Sequence, residues 1–152
     1  MDKNNLIVLV TGGFDPIHSG HISLFNYASH LGRELVVGIN SDEWLIRKKG
    51  FFFLPFNERK VIIENLKMVE KVISWDDKDN TATGAIQIVL NQLSGNEAVI
   101  FANGGDRTIG NIPEISSFQK NNKVKFKFGI GGNTKQNSSS LILDKYKKNF
   151  KP

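Results

Sequence analysis

Unbroken apolar runs alternate along the chain with apolar residues spaced at helical intervals, and this alternation divides it into strands and helices. Leu6-Ile7-Val8-Leu9-Val10 is continuous, the pattern of a strand covered on both faces. After a turn-rich stretch the period changes. Leu24, Phe25, Ala28 and Leu31 fall at i, i+1, i+4 and i+7, which predicts a helix over about 19–31 with one core-facing stripe. Gly32 stands where a helix C′ residue belongs. Residues 34–39 predict a second strand. Ser41 then predicts an N-cap for a short helix through Arg47, with Asp42 and Glu43 in its first turn. Residues 48–56 read as a loop, and Asn57 as the cap of a helix running to about Val69. The pattern continues with a strand over 72–75 and a helix over 83–93, whose Ile86, Val89, Leu90 and Leu93 share a face. A strand over 98–102 and a helix with Pro113 near N1 come next, then a strand over 124–128 and a last helix over 138–150.

Strands and helices alternating at this spacing predict the α/β class: a doubly wound, five-stranded parallel sheet in a single domain over 1–152. Ligands bind such sheets beyond the carboxyl ends of the strands. The unusual residues gather there, at 12–21 after the first strand, 103–107 after the fourth and 131–140 after the fifth.

Composition narrows the partners. A chain of 152 residues suits one ordinary domain, and 39% hydrophobic with 23% charged residues is a folded balance. Cysteine is absent, which excludes disulfides and thiolate metal sites and points to a reducing, cytoplasmic setting. No segment approaches the roughly 20 apolar residues of a membrane span, and residues 6–10 are too short for a signal h-region. The net charge of +5 owes something to Lys145, Lys147, Lys148 and Lys151, which suit the end of a helix dipole. It still favours anionic ligands, and nucleotides or sugar phosphates are as anionic as nucleic acid. The remaining lysines are scattered and form no stripe with interleaved aromatics, so no nucleic-acid partner is expected.

The candidate chemistry lies in Thr11-Gly12-Gly13-Phe14-Asp15-Pro16-Ile17-His18-Ser19-Gly20-His21. Paired glycines let the backbone turn sharply and let a phosphate approach. His18 and His21, three apart at a helix start, share one face, and Gly20 between them blocks nothing. The helix N-terminus adds free N–H groups and positive partial charge. Together these predict a polyphosphate site. Metal ligation by the pair is not expected, because zinc wants three or four ligands and the remaining histidine, His30, lies further along the same helix. Neither the Gly-Lys-Ser/Thr of a P-loop nor the Gly-x-Gly-x-x-Gly of dinucleotide sites is present. A hydroxyl run, Ser138-Ser139-Ser140, opens the last helix and offers side-chain and backbone donors to a phosphate. Phe51-Phe52-Phe53 in a loop suggests a lid or a subunit contact.

Gly12 to His21 resembles the HxGH signature of the cytidylyltransferase-like nucleotidyltransferase superfamily. Asn40-Ser41-Asp42, Lys48-Lys49-Gly50, Asn57-Glu58-Arg59, Gly104-Gly105-Asp106 and Ser138-Ser139-Ser140 follow in the expected order. The resemblance implies a Rossmann-like fold and transfer of a nucleoside monophosphate from CTP or ATP to a phosphorylated sugar or polyol. Pyrophosphate would leave, Mg²⁺ would accompany the triphosphate, and the enzyme would be a homodimer. It implies that His18, His21, Lys48 and Lys49 are catalytic. Thr11, Gly12, Gly13, Phe14, Asp15, Gly20, Gly105, Asp106, Ser138, Ser139 and Ser140 would bind the nucleotide, and Asp42, Arg59 and Lys135 the acceptor. Three departures stand out: a serine run where a threonine is common, Asn133 where a basic residue is common, and Leu54 where heptose enzymes tend to have Arg. A nucleotide-binding or regulatory module of the same fold, without turnover, is the alternative reading.

Overall fold

Every strand but the edges has a parallel neighbour on each side and helices on each face, which is why the apolar runs do not alternate. The computed structural model describes residues 1–105, 107–131 and 138–150. A 3-10 turn at Lys3–Asn5 leads into β1 (Leu6–Gly12). It is followed by α1 (Ser19–Ser29), β2 (Glu34–Ile39), α2 (Asp42–Lys49), α3 (Phe56–Glu64) and β3 (Lys71–Ile73). Then come α4 (Thr83–Leu90), β4 (Ala98–Ala102), α5 (Glu114–Phe118), β5 (Val124–Lys127) and α6 (Ser139–Asn149). The strand order is β3-β2-β1-β4-β5, parallel throughout. In register, Leu9 of β1 sits between Val36 of β2 and Phe101 of β4.

β1 distributes its side chains to two cores. Leu6, Val8 and Val10 pack with Phe25 and Ala28 of α1 and Ile63 of α3. Ile7 and Leu9 pack on the other face with Ala85, Ile86 and Val89 of α4 and Phe118 of α5. Each Val, Leu, Ile or Phe among them, fully buried, contributes about 1.5–3 kcal/mol. Strands are added outward from β1 to β3, and then the chain crosses back to β4 with its helices on the opposite face. The direction of winding therefore reverses between β1 and β4. That reversal opens a crevice at their carboxyl ends.

The predicted elements are all present, most of them with shifted ends. α2 runs on to Lys49, and Gly50, at φ 88°, terminates it. α3 starts at Phe56 after Pro55, so Asn57 lies inside the helix rather than capping it. It ends at Glu64, although Leu66, Met68 and Val69 still pack on the core, so the apolar pattern outlasts the helix. β3 stops at Ile73 because Trp75 leaves the strand to donate its indole N–H to the Thr81 carbonyl. Gly32 is not in the left-handed region expected of a C′ glycine. It is needed because a Cβ there would collide with the Leu6 carbonyl of β1.

Candidate active site

The chain leaves β1 through two glycines because side chains press against both. Phe14 is buried at φ 51°, and a Cβ on Gly12 would sit 2.9 Å from its ring. A Cβ on Gly13 would sit 2.7 Å from Leu45 of α2. A non-glycine residue in that backbone region costs about 1–3 kcal/mol, which the buried ring offsets. The Phe14 ring meets Phe25 and His21 edge-on, at centroid distances of 5.1 and 5.0 Å. Its place in the core thus fixes the plane of the His21 imidazole.

The two histidines cap α1 reciprocally. The Gly20 N–H donates to His18 Nδ1 at 3.0 Å, and the His18 N–H donates to His21 Nδ1 at 3.3 Å. A backbone N–H can only donate, so each Nδ1 must present its lone pair, and the proton of each neutral ring sits on Nε2. The rings stack at 3.8 Å with a 27° tilt. The result is a pair of parallel Nε2–H donors, oriented by the helix terminus they cap.

His21 stays neutral. Burial first, then the neighbouring His18 and Lys49, hold its pKa at about 3. An unfolded chain takes up a proton at this ring near the ordinary value of about 6.5, and the folded chain does not. Stability from this group is therefore complete above pH 6.5 and falls as pH drops toward 3, by about 1.4 kcal/mol per unit. His21→Gln keeps the capping box, since Gln suits N3, but removes the titration. Its urea midpoint should decline less steeply between pH 6.5 and 4 than that of the native chain. Equal slopes would exclude His21 as a buried neutral base.

The histidines line a cleft of about 330 Å³ at the carboxyl ends of β1, β4 and β5. That volume lies at the lower end of the range for small-ligand sites. On one side stand His18, Gly20 and His21, with Ser138 and Ser139 at the start of α6. Ser138 Oγ accepts from the Leu141 N–H, and Ser139 Oγ donates to the Pro16 carbonyl at 2.8 Å, so α6 is tied directly to the histidine loop. With its proton given to Pro16, the Ser139 hydroxyl has only lone pairs left. The donors α6 offers an anion at this end include the N–H groups of Ser139 and Ser140.

Three comparisons with known proteins bear on this arrangement. The family model for cytidylyltransferase-like proteins matches residues 9–145. The chain is a member of the cytidylyltransferase-like family. It is 38% identical over 74 residues to glycerol-3-phosphate cytidylyltransferase of Bacillus subtilis (strain 168), an alignment covering 47% of this chain and 57% of the relative. It is 38% identical over 113 residues to the bifunctional protein HldE of Blochmanniella floridana, covering 72% of this chain and 22% of the relative. The chain thus spans little more than half of one relative and about a fifth of the other. Among solved structures, the lipopolysaccharide core biosynthesis protein from Thermoplasma volcanium GSS1 superposes with a TM-score of 0.60 at 26% identity, over 81% of this chain and 93% of that one.

In this cytidylyltransferase-like chain the cleft gathers Thr11, Gly12, Gly13, Phe14, His18, Gly20, His21, Gly105, Ser138 and Ser139 from the residues expected at a site. Asp106 and Lys135, like Asn133, lie outside the described residues. Others are placed elsewhere. Asp15, expected at the nucleotide, has a fully buried carboxylate that accepts from the N–H groups of Phe53 and Leu54, the latter at 2.7 Å. It fastens the loop before α3 to the histidine loop. Arg59, expected at the acceptor, is buried and donates to the carbonyls of Gly13, Asn40 and Leu54 and to Asp42 at 2.7 Å. Asp42 is its counter-ion, so the pair holds loops together and does not reach the cleft.

Lys48 lies over the Trp44 ring, outside the cleft lining, and Ser140 is exposed on the first turn of α6. Lys49 sits beside the site. It donates to the Asp15 carbonyl at 2.7 Å, and burial, against Asp15 and with Arg59 and Lys48, lowers its pKa below the usual lysine value. Of the three phenylalanines, Phe51 and Phe53 contact α6, while Phe52 is exposed. Phe51 lies beneath the ammonium groups of Lys49 and Lys147, and Phe53 meets Tyr146 edge-on, so this loop rests on α6.

Three positions were given no individual role by the sequence, although two of them lie in the 103–107 loop expected at the ligand. Arg107 and Asn103 line the cleft. Asp77, nearly buried, accepts from Asn40 Nδ2, the Ser41 N–H and the Ser41 hydroxyl, binding the loop after β2 to the loop after β3. Burial pushes its pKa up, but the Ser41 and Asn40 hydrogen bonds and the Arg47 charge outweigh that and leave it below the usual value. Among the described residues no three His, Asp or Glu side chains converge as a metal-binding group, and no helix is long and apolar enough to cross a membrane.

Proposed function

We propose that this chain transfers a nucleoside monophosphate from CTP or ATP to the phosphate of a phosphorylated sugar or polyol, releasing pyrophosphate. The observation that carries the reading is the stacked His18–His21 pair. Its Nε2–H donors flank a cleft closed on the same side by the N-terminus of α6. Family membership and the names of the relatives support it.

An acceptor phosphate is already ionised at neutral pH, so its oxygen attacks the α-phosphorus without a general base. The new P–O bond forms in line with the bond to the β-phosphate oxygen, which breaks, and pyrophosphate departs with that electron pair. Negative charge grows on the non-bridging α-oxygens, where the two Nε2–H groups donate hydrogen bonds. A neutral donor of fixed tautomer needs no reorganisation as charge develops. Lys49 adds positive charge beside His21, and the α6 terminus adds donors for the terminal phosphates. Mg²⁺ would offset charge on the triphosphate, held by phosphate oxygens and water, a mode that asks few ligands of the protein.

The test is pyrophosphate release over four triphosphates and a panel of sugar and polyol phosphates, with and without Mg²⁺. Turnover needing both a triphosphate and a phosphorylated acceptor is expected. Tight triphosphate binding with no pyrophosphate from any pair would instead make the chain a binding or regulatory module.

A further inference from the structure

The cleft has two chemically distinct ends. The histidines, Pro16 and Ser139 adjoin one another and make the polar end. Leu24 lies one turn beyond His21 on α1, about 4.5 Å further along the axis. There the loops after β4 and β5 close on it. A Cβ on Gly104 would sit 3.0 Å from Leu24 Cδ1, and one on Gly131 3.4 Å from Leu24 Cα. The Ile130 N–H donates to the Asn103 carbonyl, so these two loops are bonded to each other. Leu24, Ala102, Ile130 and glycine backbone thus give this end of the cleft an apolar lining against which a planar ring can pack.

Among the described residues one cation stands at this end. Arg107 lines the cleft and donates to Asn103 Oδ1 over a long 3.4 Å. Asn103 is itself buried, with its amide nitrogen donating to the Phe101 carbonyl at 3.2 Å, so its oxygen is turned toward Arg107. Among the described lining residues Arg107 is the sole Lys or Arg. A guanidinium offers donors only, in a planar fork.

We infer that Arg107 is a specificity-determining residue that reads the nucleobase at this end of the cleft and selects cytosine over adenine. This rests on the nucleotidyl-transfer reading above. Cytosine presents two adjacent acceptors, O2 and N3, which match a donor fork. Adenine sets a donor, the N6 amino group, beside each of its N1 and N7 acceptors. Against Arg107 that amino group would face another donor. A buried donor left without an acceptor is what rejects the wrong ligand. A side chain carrying one donor and one acceptor, such as Gln, is the matching partner for adenine.

The experiment compares kcat/KM and equilibrium binding of CTP, ATP, GTP and UTP for the native chain, Arg107→Ala and Arg107→Gln. Melting temperatures accompany each variant. Arg107 is on a half-buried loop outside both cores, so the variants should fold. The native chain should favour CTP over ATP. Arg107→Ala should lose about 10- to 100-fold of that preference, the discrimination of one bidentate base contact, with an unchanged melting temperature. Arg107→Gln should shift the preference toward ATP. A native preference for ATP, GTP or UTP would overturn the inference, as would a CTP preference undiminished in Arg107→Ala. Absence of turnover with every triphosphate would sink the nucleotidyl-transfer reading instead, and binding preferences would still decide the role of Arg107.

Discussion

His18→Ala should lower kcat by about 10²–10³ with little change in KM for the triphosphate, the cost of one lost donor at a developing oxyanion. A donor that strengthens only in the transition state lowers kcat and kcat/KM together. His18 also caps α1, and loss of a cap costs about 1 kcal/mol. The two roles separate in His18→Asn. Asn is a good N-cap, so the melting temperature should return toward native, but its short side chain ends near the helix and does not carry a donor to the Nε2 position. The rate should therefore stay low while stability recovers. Full activity in His18→Asn would show that the imidazole acts only as a cap.

Much of this pair was legible because its machinery is local. Two glycines, the end of a strand and the start of a helix lie within ten residues, 12–21, and the period of the apolar positions announces the helix. The reciprocal capping was harder to see, since His is not among the strongly favoured N-cap residues. The strands β2 and β4 have the bounds the pattern predicts because both are covered on two faces and flanked by helices. β3 lies at a sheet edge and has fewer neighbours to hold it, so Trp75 peels away.

What the sequence concealed were bonds between distant positions. Asp15 meets the N–H groups of Phe53 and Leu54, 38 and 39 residues away, and Asp77 meets Ser41 across 36. No local period encodes such pairs. Read along the chain, Asp15 and Arg59 pass for nucleotide and acceptor ligands, and nothing local marks Asp77. The fold turns them inward, because three loops meet at the carboxyl edge of the sheet and expose backbone groups that only buried side chains can satisfy. For Arg107 the loop was legible but not the role: residues 103–107 were expected to face a ligand, whereas its place in the cleft lining and its bond to the Asn103 amide come from the fold.

Arg59→Met should destabilise the chain by about 3–5 kcal/mol in urea or guanidinium unfolding, the usual cost of removing one partner of a buried ion pair. The guanidinium is fully buried and its fork serves four acceptors: three carbonyls on three loops and the Asp42 carboxylate. Met fills much of the volume but leaves those carbonyls and the carboxylate without a donor, and unmade bonds cost more than formed ones contribute. Arg59→Lys keeps the charge but replaces a planar fork with a point donor, so it should recover only part of the loss. The position also tests what Arg59 is for. As an acceptor ligand, its Lys variant would raise KM for the phosphorylated acceptor at an unchanged melting temperature. As the buried brace seen here, the variant should lower the melting temperature first. The Gly13 carbonyl that Arg59 holds belongs to the loop carrying His18, so kcat should fall alongside stability, with KM for the acceptor changing least.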